Sequence, residues 1–267
     1  MKERVIILAE GGACGHFICT LLQTMHDPDI FNKLKMPEHG SMDLIAGIGS
    51  LTHKFFVQEK GFTIYPERKD AMNLIMDAFN NPETTYKPYQ SNYEKQFHEV
   101  HVIHYQWQEH IDQFLSLPNT KIIFVTYGLD DFKRIAVNKI LKNFAIEAMA
   151  QDSESTFWAK KHYTDQLRWG GFDDAAEELS LLDNVGFANN ELLKVLVRSW
   201  KKYIALRHVW CSPTAHENML ILNFNDLYFN KELVMQTLSG FAGQPINDNT
   251  IEIYNNYLAK QPNIDLY

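Results

Sequence analysis

Residues 5–23, VIILAEGGACGHFICTLLQ, constrain the chain more than any other stretch, because an apolar run of strand character stops at a glycine turn and resumes as an amphipathic helix. Gly11, Gly12 and Gly15 reach backbone angles closed to other residues and leave main-chain N–H groups bare. The helix that follows turns its positive dipole end toward the same spot. Such a junction predicts a cradle for an anion. The plain alternative is a tight strand-to-helix turn that holds nothing.

Details of the turn narrow the choice. An ATPase-type P-loop needs a Lys and a Ser or Thr directly after its last glycine, and here Gly15 is followed by His16 and Phe17. That argues against ordinary ATP or GTP hydrolysis. The dinucleotide fingerprint fails as well, since Gly12 and Gly15 supply at most its second half. A tyrosine-phosphatase loop would place an Arg where Thr20 stands. Cys14 has two readings: a small residue that lets the loop pass close to an anion, or a thiol ionised at a helix N-terminus.

Size and charge bound the rest. With 267 residues, 45% of them hydrophobic, the chain suffices for one substantial core, and a single domain over 1–267 is expected. A formal charge of −8 and a pI near 5.7 argue against a broad nucleic-acid surface and leave room for a local pocket for one small polyanion. The three cysteines, Cys14, Cys19 and Cys211, have no metal-like spacing and an odd count, which suits a reducing cytosol. No run reaches membrane-span length and the first residues lack a signal peptide's apolar core, so a cytoplasmic protein without membrane or metal is expected.

Three further stretches read as buried parallel strands: HEVHVIHY at 98–105, TKIIFVTY at 120–127 and NMLILNF at 218–224. Helical patterning follows each, which predicts a doubly wound α/β sheet. Asp130 and Asp131 suit a helix start, and Ile135, Ile140, Leu141 and Phe144 repeat at helical spacing. Residues 153–211 are aromatic-rich and helical in character, as expected of a helical cap. HKFFVQ at 53–58 reads as an additional strand, and 80–93, with Pro82 and Pro88, as an exposed connector.

The order of these parts, closing on the segment LILNFNDLYFNKELVMQTLSGFAG, resembles the sulfotransferase family. In that family a strand, a Tyr-Glu-Asp-Leu-like turn, a helix and a Phe-Leu-Gly-like end close the domain. Asn225-Asp226-Leu227, a helix at 230–240 and Phe241-Ala242-Gly243 stand in that order here. The resemblance spans about residues 5–260 and implies a three-layer α/β fold with a mostly parallel sheet and a P-loop-like turn.

It also implies an activity: transfer of a sulfuryl group from 3′-phosphoadenosine-5′-phosphosulfate, as co-substrate, to a hydroxyl or amine of a small-molecule or glycan acceptor. Loop N–H groups and the helix dipole would carry the charge of the transferring group, without a metal. A general base must take the acceptor proton. By its place before the K-I-I-F-V strand, His104 matches the family's catalytic histidine, and His16 is the second catalytic candidate as a donor to the anion. The implied nucleotide contacts are Gly11, Gly12, Ala13, Cys14, Gly15, His16 and Phe17, with Arg134 and Asn138 for the 3′-phosphate.

Departures from the family pattern shape the alternatives. Ala13 stands where the family has a Lys on the bridging oxygen, and Tyr127 and Ile135 stand where it has an Arg and a Ser. Losing one well-placed donor costs about 3 kcal/mol, or roughly a hundredfold in rate. His98, His101, His104 and His110 also cluster, but alternation along a strand would put His101 opposite His98 and His104, away from a shared ion. Two other readings therefore stand beside sulfuryl transfer: a relative that has lost donor chemistry and binds anions or partners, and a nucleoside or sugar kinase of the same broad fold.

Overall fold

The computed structural model describes residues 4–10, 13–29, 99–103, 108–139, 161, 164–165, 168, 173–181, 194, 197–198, 200–202, 204–205, 213–261 and 263–266. The chain forms two compact units, the first made of Met1–Glu10, Cys14–Thr126 and Cys211–Gln261, the second of Gly11–Ala13, Tyr127–Trp210 and Pro262–Tyr267.

A parallel sheet organises the first unit. Its strands are β1 (Arg4–Leu8), β2 (Glu99–Ile103), β3 (Thr120–Thr126) and β4 (Met219–Asn223), in the spatial order β2-β1-β3-β4. The register places Val5 beside Val100 on one side and Lys121 on the other, and Ile123 beside Leu220. Ile6, Ile7 and Leu8 of β1 and Ile122–Val125 of β3 are fully buried, which is why both strands read as unbroken apolar runs. An edge position leaves Ile221 of β4 partly exposed. All three predicted strands beyond the first are present within their expected ranges.

Helices complete this unit. After β1 comes α1 (Gly15–His26), which is buried all round from Phe17 to Met25, its polar Thr20, Gln23 and Thr24 as well as Phe17, Ile18, Leu21, Leu22 and Met25. Pro28 follows soon after its end, and Asp27 donates its amide to Gln23 O while its Oδ1 accepts from Asp29 N–H. Helix α2 (Gln108–Leu115) precedes β3. Beyond β4 come the short α4 (Asp226–Phe229), α5 (Lys231–Ala242) and α6 (Asp248–Ala259). Lys121 Nζ donates to Phe241 O at 2.9 Å, meeting a carbonyl at the C-terminal end of α5 where a cation complements the helix dipole.

In the second unit, Gly128 N–H donates to Asp131 Oδ2 at 2.7 Å, holding a 3₁₀ turn at Leu129–Asp131 that opens the helical residues 132–139. The aspartates expected to start a helix do so. Helix α3 (Asp173–Leu181) lies in the aromatic-rich region, and every described residue between 153 and 211 is helical. The expected strand at 53–58, the connector at 80–93 and the apolar positions Ile140, Leu141 and Phe144 lie outside the described residues. Among the described residues no helix is long and apolar enough to cross a membrane.

Candidate functional site

The order of the sheet singles out one place. From β1 the chain passes to β2 on one side and then to β3 on the other, so the direction of winding reverses between β1 and β3. In open α/β sheets ligands bind outside the carboxyl ends of the strands at such a reversal. Helix α1 begins seven residues after the end of β1 at that same end of the sheet.

The first turn of α1 has unusual surroundings. Cys14, its N-cap, holds the left-handed backbone conformation with φ 65°, which costs a residue with a Cβ roughly 1–2 kcal/mol. Its side chain does not cap the helix. Instead the sulfur lies 2.8 Å from Tyr257 Oη and 3.1 Å from Tyr228 Oη, and the two phenol oxygens are 3.2 Å apart. Thiol and phenols therefore close a triangle that joins α1, α4 and α6.

Aromatic packing fixes the triangle. Phe17, near the start of α1, stacks on Tyr257 with centroids 3.7 Å apart and meets Tyr254 edge-on at 5.0 Å. Tyr254 Oη donates to Leu227 O at 2.8 Å, which ties α6 to α4. Burial is the main reason that the Tyr257 phenol is pushed well above the ordinary tyrosine range, with the neighbouring Cys14 and Tyr228 adding to it. Tyr254 is raised likewise, by burial first and then by Cys14, Glu232 and Asp226. Both phenols stay protonated through neutral pH and are available as donors.

A polar seam continues along the same two helices. Asn247, the N-cap of α6, accepts from Thr250 N–H at 3.0 Å and donates through Nδ2 to Thr24 O at 2.8 Å. Since Asn247 and Thr250 meet Thr24, while Tyr254 and Tyr257 meet Phe17, α6 runs antiparallel to α1. Just past the end of β1, Glu10 is buried to 3% exposure.

Among the residues singled out from the sequence, Cys14 and Phe17 come together through Tyr257, and Gly15 is buried at the start of α1. Ala13 is fully buried. Arg134 and Asn138 share the helical stretch 132–139, one turn apart, with Asn138 buried. Gly11, Gly12 and His104 lie outside the described residues, and His16 is placed by its backbone in α1 with its side chain outside them. The same holds for His98, and for the side chains of His101 and His110. Tyr228, Tyr254, Tyr257 and Glu10 are additions that sequence reasoning missed. Thr250, Tyr254 and Tyr257 do recur at helical spacing, which signals a buried face but not what that face meets.

The chain matches no family model, no curated protein and no solved structure.

Proposed function

We propose that this chain is a sulfotransferase-like enzyme of the cytosol, moving a sulfuryl group from 3′-phosphoadenosine-5′-phosphosulfate to an acceptor hydroxyl or amine. The observation that carries the reading is the start of α1 after the central parallel strand β1, at the β1/β3 reversal of the sheet. Amides of a helix's first turn present partial positive charge, and an oxoanion is their natural guest. In this reading residues 11–17 hold the 5′-phosphosulfate, Arg134 and Asn138 contact the 3′-phosphate, and His104 takes the proton of the acceptor. The fold is then three-layered with a P-loop-like turn, and 153–211 is a helical cap that helps choose the acceptor.

A second reading has its own support. Ala13 replaces the donor lysine of the family resembled, and Cys14 and Phe17 are committed to Tyr228, Tyr254 and Tyr257. A module that binds an oxoanion or a partner without turnover accounts for both facts.

Thermal unfolding with 3′-phosphoadenosine-5′-phosphate, ATP and sulfate side by side tests the site. A ligand present at a hundred times its dissociation constant adds roughly 2.7 kcal/mol of stability. Stabilisation by the bisphosphate alone, together with sulfate transfer that is lost in His104→Ala, is the expected outcome. Stabilisation without transfer on any acceptor leaves the binding module, and no stabilisation by any of the three removes both readings.

A further inference from the structure

We propose that the outer edge of β4 is a homodimer surface: two copies of this chain join their sheets by antiparallel pairing of β4 with the partner's β4, about a two-fold axis that passes through the sheet at Ile221. The inference stands apart from the sulfuryl-transfer reading, since it uses no residue of the candidate site.

The ladder with β3 shows which main-chain groups face outward. Ile122 N–H donates to Asn218 O at 2.8 Å, and Phe224 N–H donates to Thr126 O at 2.8 Å, so both ends of the even-numbered series 218–224 turn toward β3. In a strand the N–H and C=O of one residue point the same way and those of the next residue point the opposite way. Met219, Ile221 and Asn223 therefore present theirs to the open side, where β4 ends the order β2-β1-β3-β4. Met219 N–H is spent on His216 O at 3.0 Å. Among the described residues, none hydrogen-bonds to Met219 O, to the Ile221 main chain or to Asn223 N–H.

The register selects a second copy as the occupant. Antiparallel pairing centred on Ile221 sets Ile221 opposite the partner's Ile221, and Asn223 opposite the partner's Met219. Each Ile221 N–H then donates to the O atom of the partner's Ile221, and each Asn223 N–H to the O atom of the partner's Met219. The one outward donor already used, Met219 N–H, is the one these bonds leave out. Open donors and open acceptors match one to one.

Side chains and charge agree with this pairing. Ile221 is 42% exposed in the single chain, and the two-fold axis brings both copies of it to one face of the joined sheet as a cross-strand apolar pair. The strand MLILN carries no charge, so no like charges meet across the axis, and it holds neither the Lys nor the Pro that ordinarily blunts an exposed edge. A chain of formal charge −8 repels its own copy at long range, and an uncharged strand is where two copies can approach. Such an isologous contact closes with two copies and does not propagate. It is also small, which places it among the weak, reversible interfaces.

The test uses the full chain. Sedimentation velocity is run up to about 1 mM protein, where a weak interface associates, and amide hydrogen exchange is read residue by residue at low and high concentration. A monomer–dimer equilibrium is expected. The Ile221 and Asn223 amides should exchange more slowly as concentration rises, whereas the Leu220 and Leu222 amides, which face β3, are protected throughout. Ile221→Pro removes the outward N–H and no bond to β3, a place where an edge strand tolerates proline. Ile221→Lys sets two like charges opposite one another. Each should weaken the dimer by about tenfold or more. A chain that stays monomeric at the highest concentration, or a dimer that both variants leave intact, overturns the proposal. So does protection of the Ile221 and Asn223 amides that does not change with concentration, as an inner segment paired with the edge would produce. Should Ile221→Pro fail to fold, Ile221→Lys decides alone.

Discussion

The Phe17 and Tyr257 rings lie face to face, 3.7 Å between centroids and 9° from parallel, although they come from opposite ends of the chain. This contact sets the height of α6 on α1 and with it the place of the Cys14 triangle. Tyr257→Ala removes the stacked ring and leaves Phe17 facing a void, for an expected loss of about 3–5 kcal/mol in denaturant unfolding. Tyr257→Phe keeps the ring and removes one hydroxyl, for about 1 kcal/mol. Equal losses in the two variants would show that the hydroxyl, not the stack, holds the helices together.

Much of this frame is legible in the chain itself. The runs at 5–8 and 120–126 are strands buried in a parallel sheet, where alternation disappears and continuous apolar character remains, and the run at 219–223 is as apolar although it leaves Ile221 exposed. Helix α5 is legible from Asn230 to Gly243, since a polar entry and a left-handed glycine exit bracket it. The triangle is not. Cys14 and Tyr228 are 214 positions apart and Cys14 and Tyr257 are 243 apart, and no local pattern encodes which distant phenol meets a thiol. The role expected of His104 rests on the family resemblance alone, because His104 falls outside the described residues.

Raised phenols make the fold sensitive to alkali. Both Tyr254 and Tyr257 ionise above the ordinary 10.0 when folded, and near it when unfolded. Their contribution is therefore complete below pH 10 and is lost as pH climbs through the folded values. Stability measured above pH 10 should fall with a steep slope in the wild type. Tyr257→Phe should make that slope shallower, and an identical slope would mean that the folded phenol is not raised.

Two asparagines near the start of α6 should behave differently. Asn247 caps the helix and also reaches Thr24 O, so Asn247→Ala breaks a cap and a cross-helix bond together. About 1–2 kcal/mol is the expected loss. Asn249 donates to Pro28 O at 2.7 Å from an exposed position, where water replaces the lost partner, and Asn249→Ala should cost under about 0.5 kcal/mol. A larger loss at Asn249 than at Asn247 would contradict the seam as described.

The two glycines of the α5 terminus provide a pair of opposite sign. Gly240 lies within the helix, and a Cβ added there meets nothing within 4 Å. Alanine restricts the unfolded chain without strain in the folded one, so Gly240→Ala should stabilise by about 0.5–1 kcal/mol. Gly243 also has open space around it, but its φ is 65°. Its amide and that of Gln244 both donate to Ser239 O, so the chain cannot leave this conformation without breaking the helix end. Gly243→Ala should accordingly cost about 1–2 kcal/mol through backbone strain alone. Thermal unfolding of the two variants side by side separates space from conformation: a shift in the same direction for both would mean that the α5 terminus does not hold the left-handed turn.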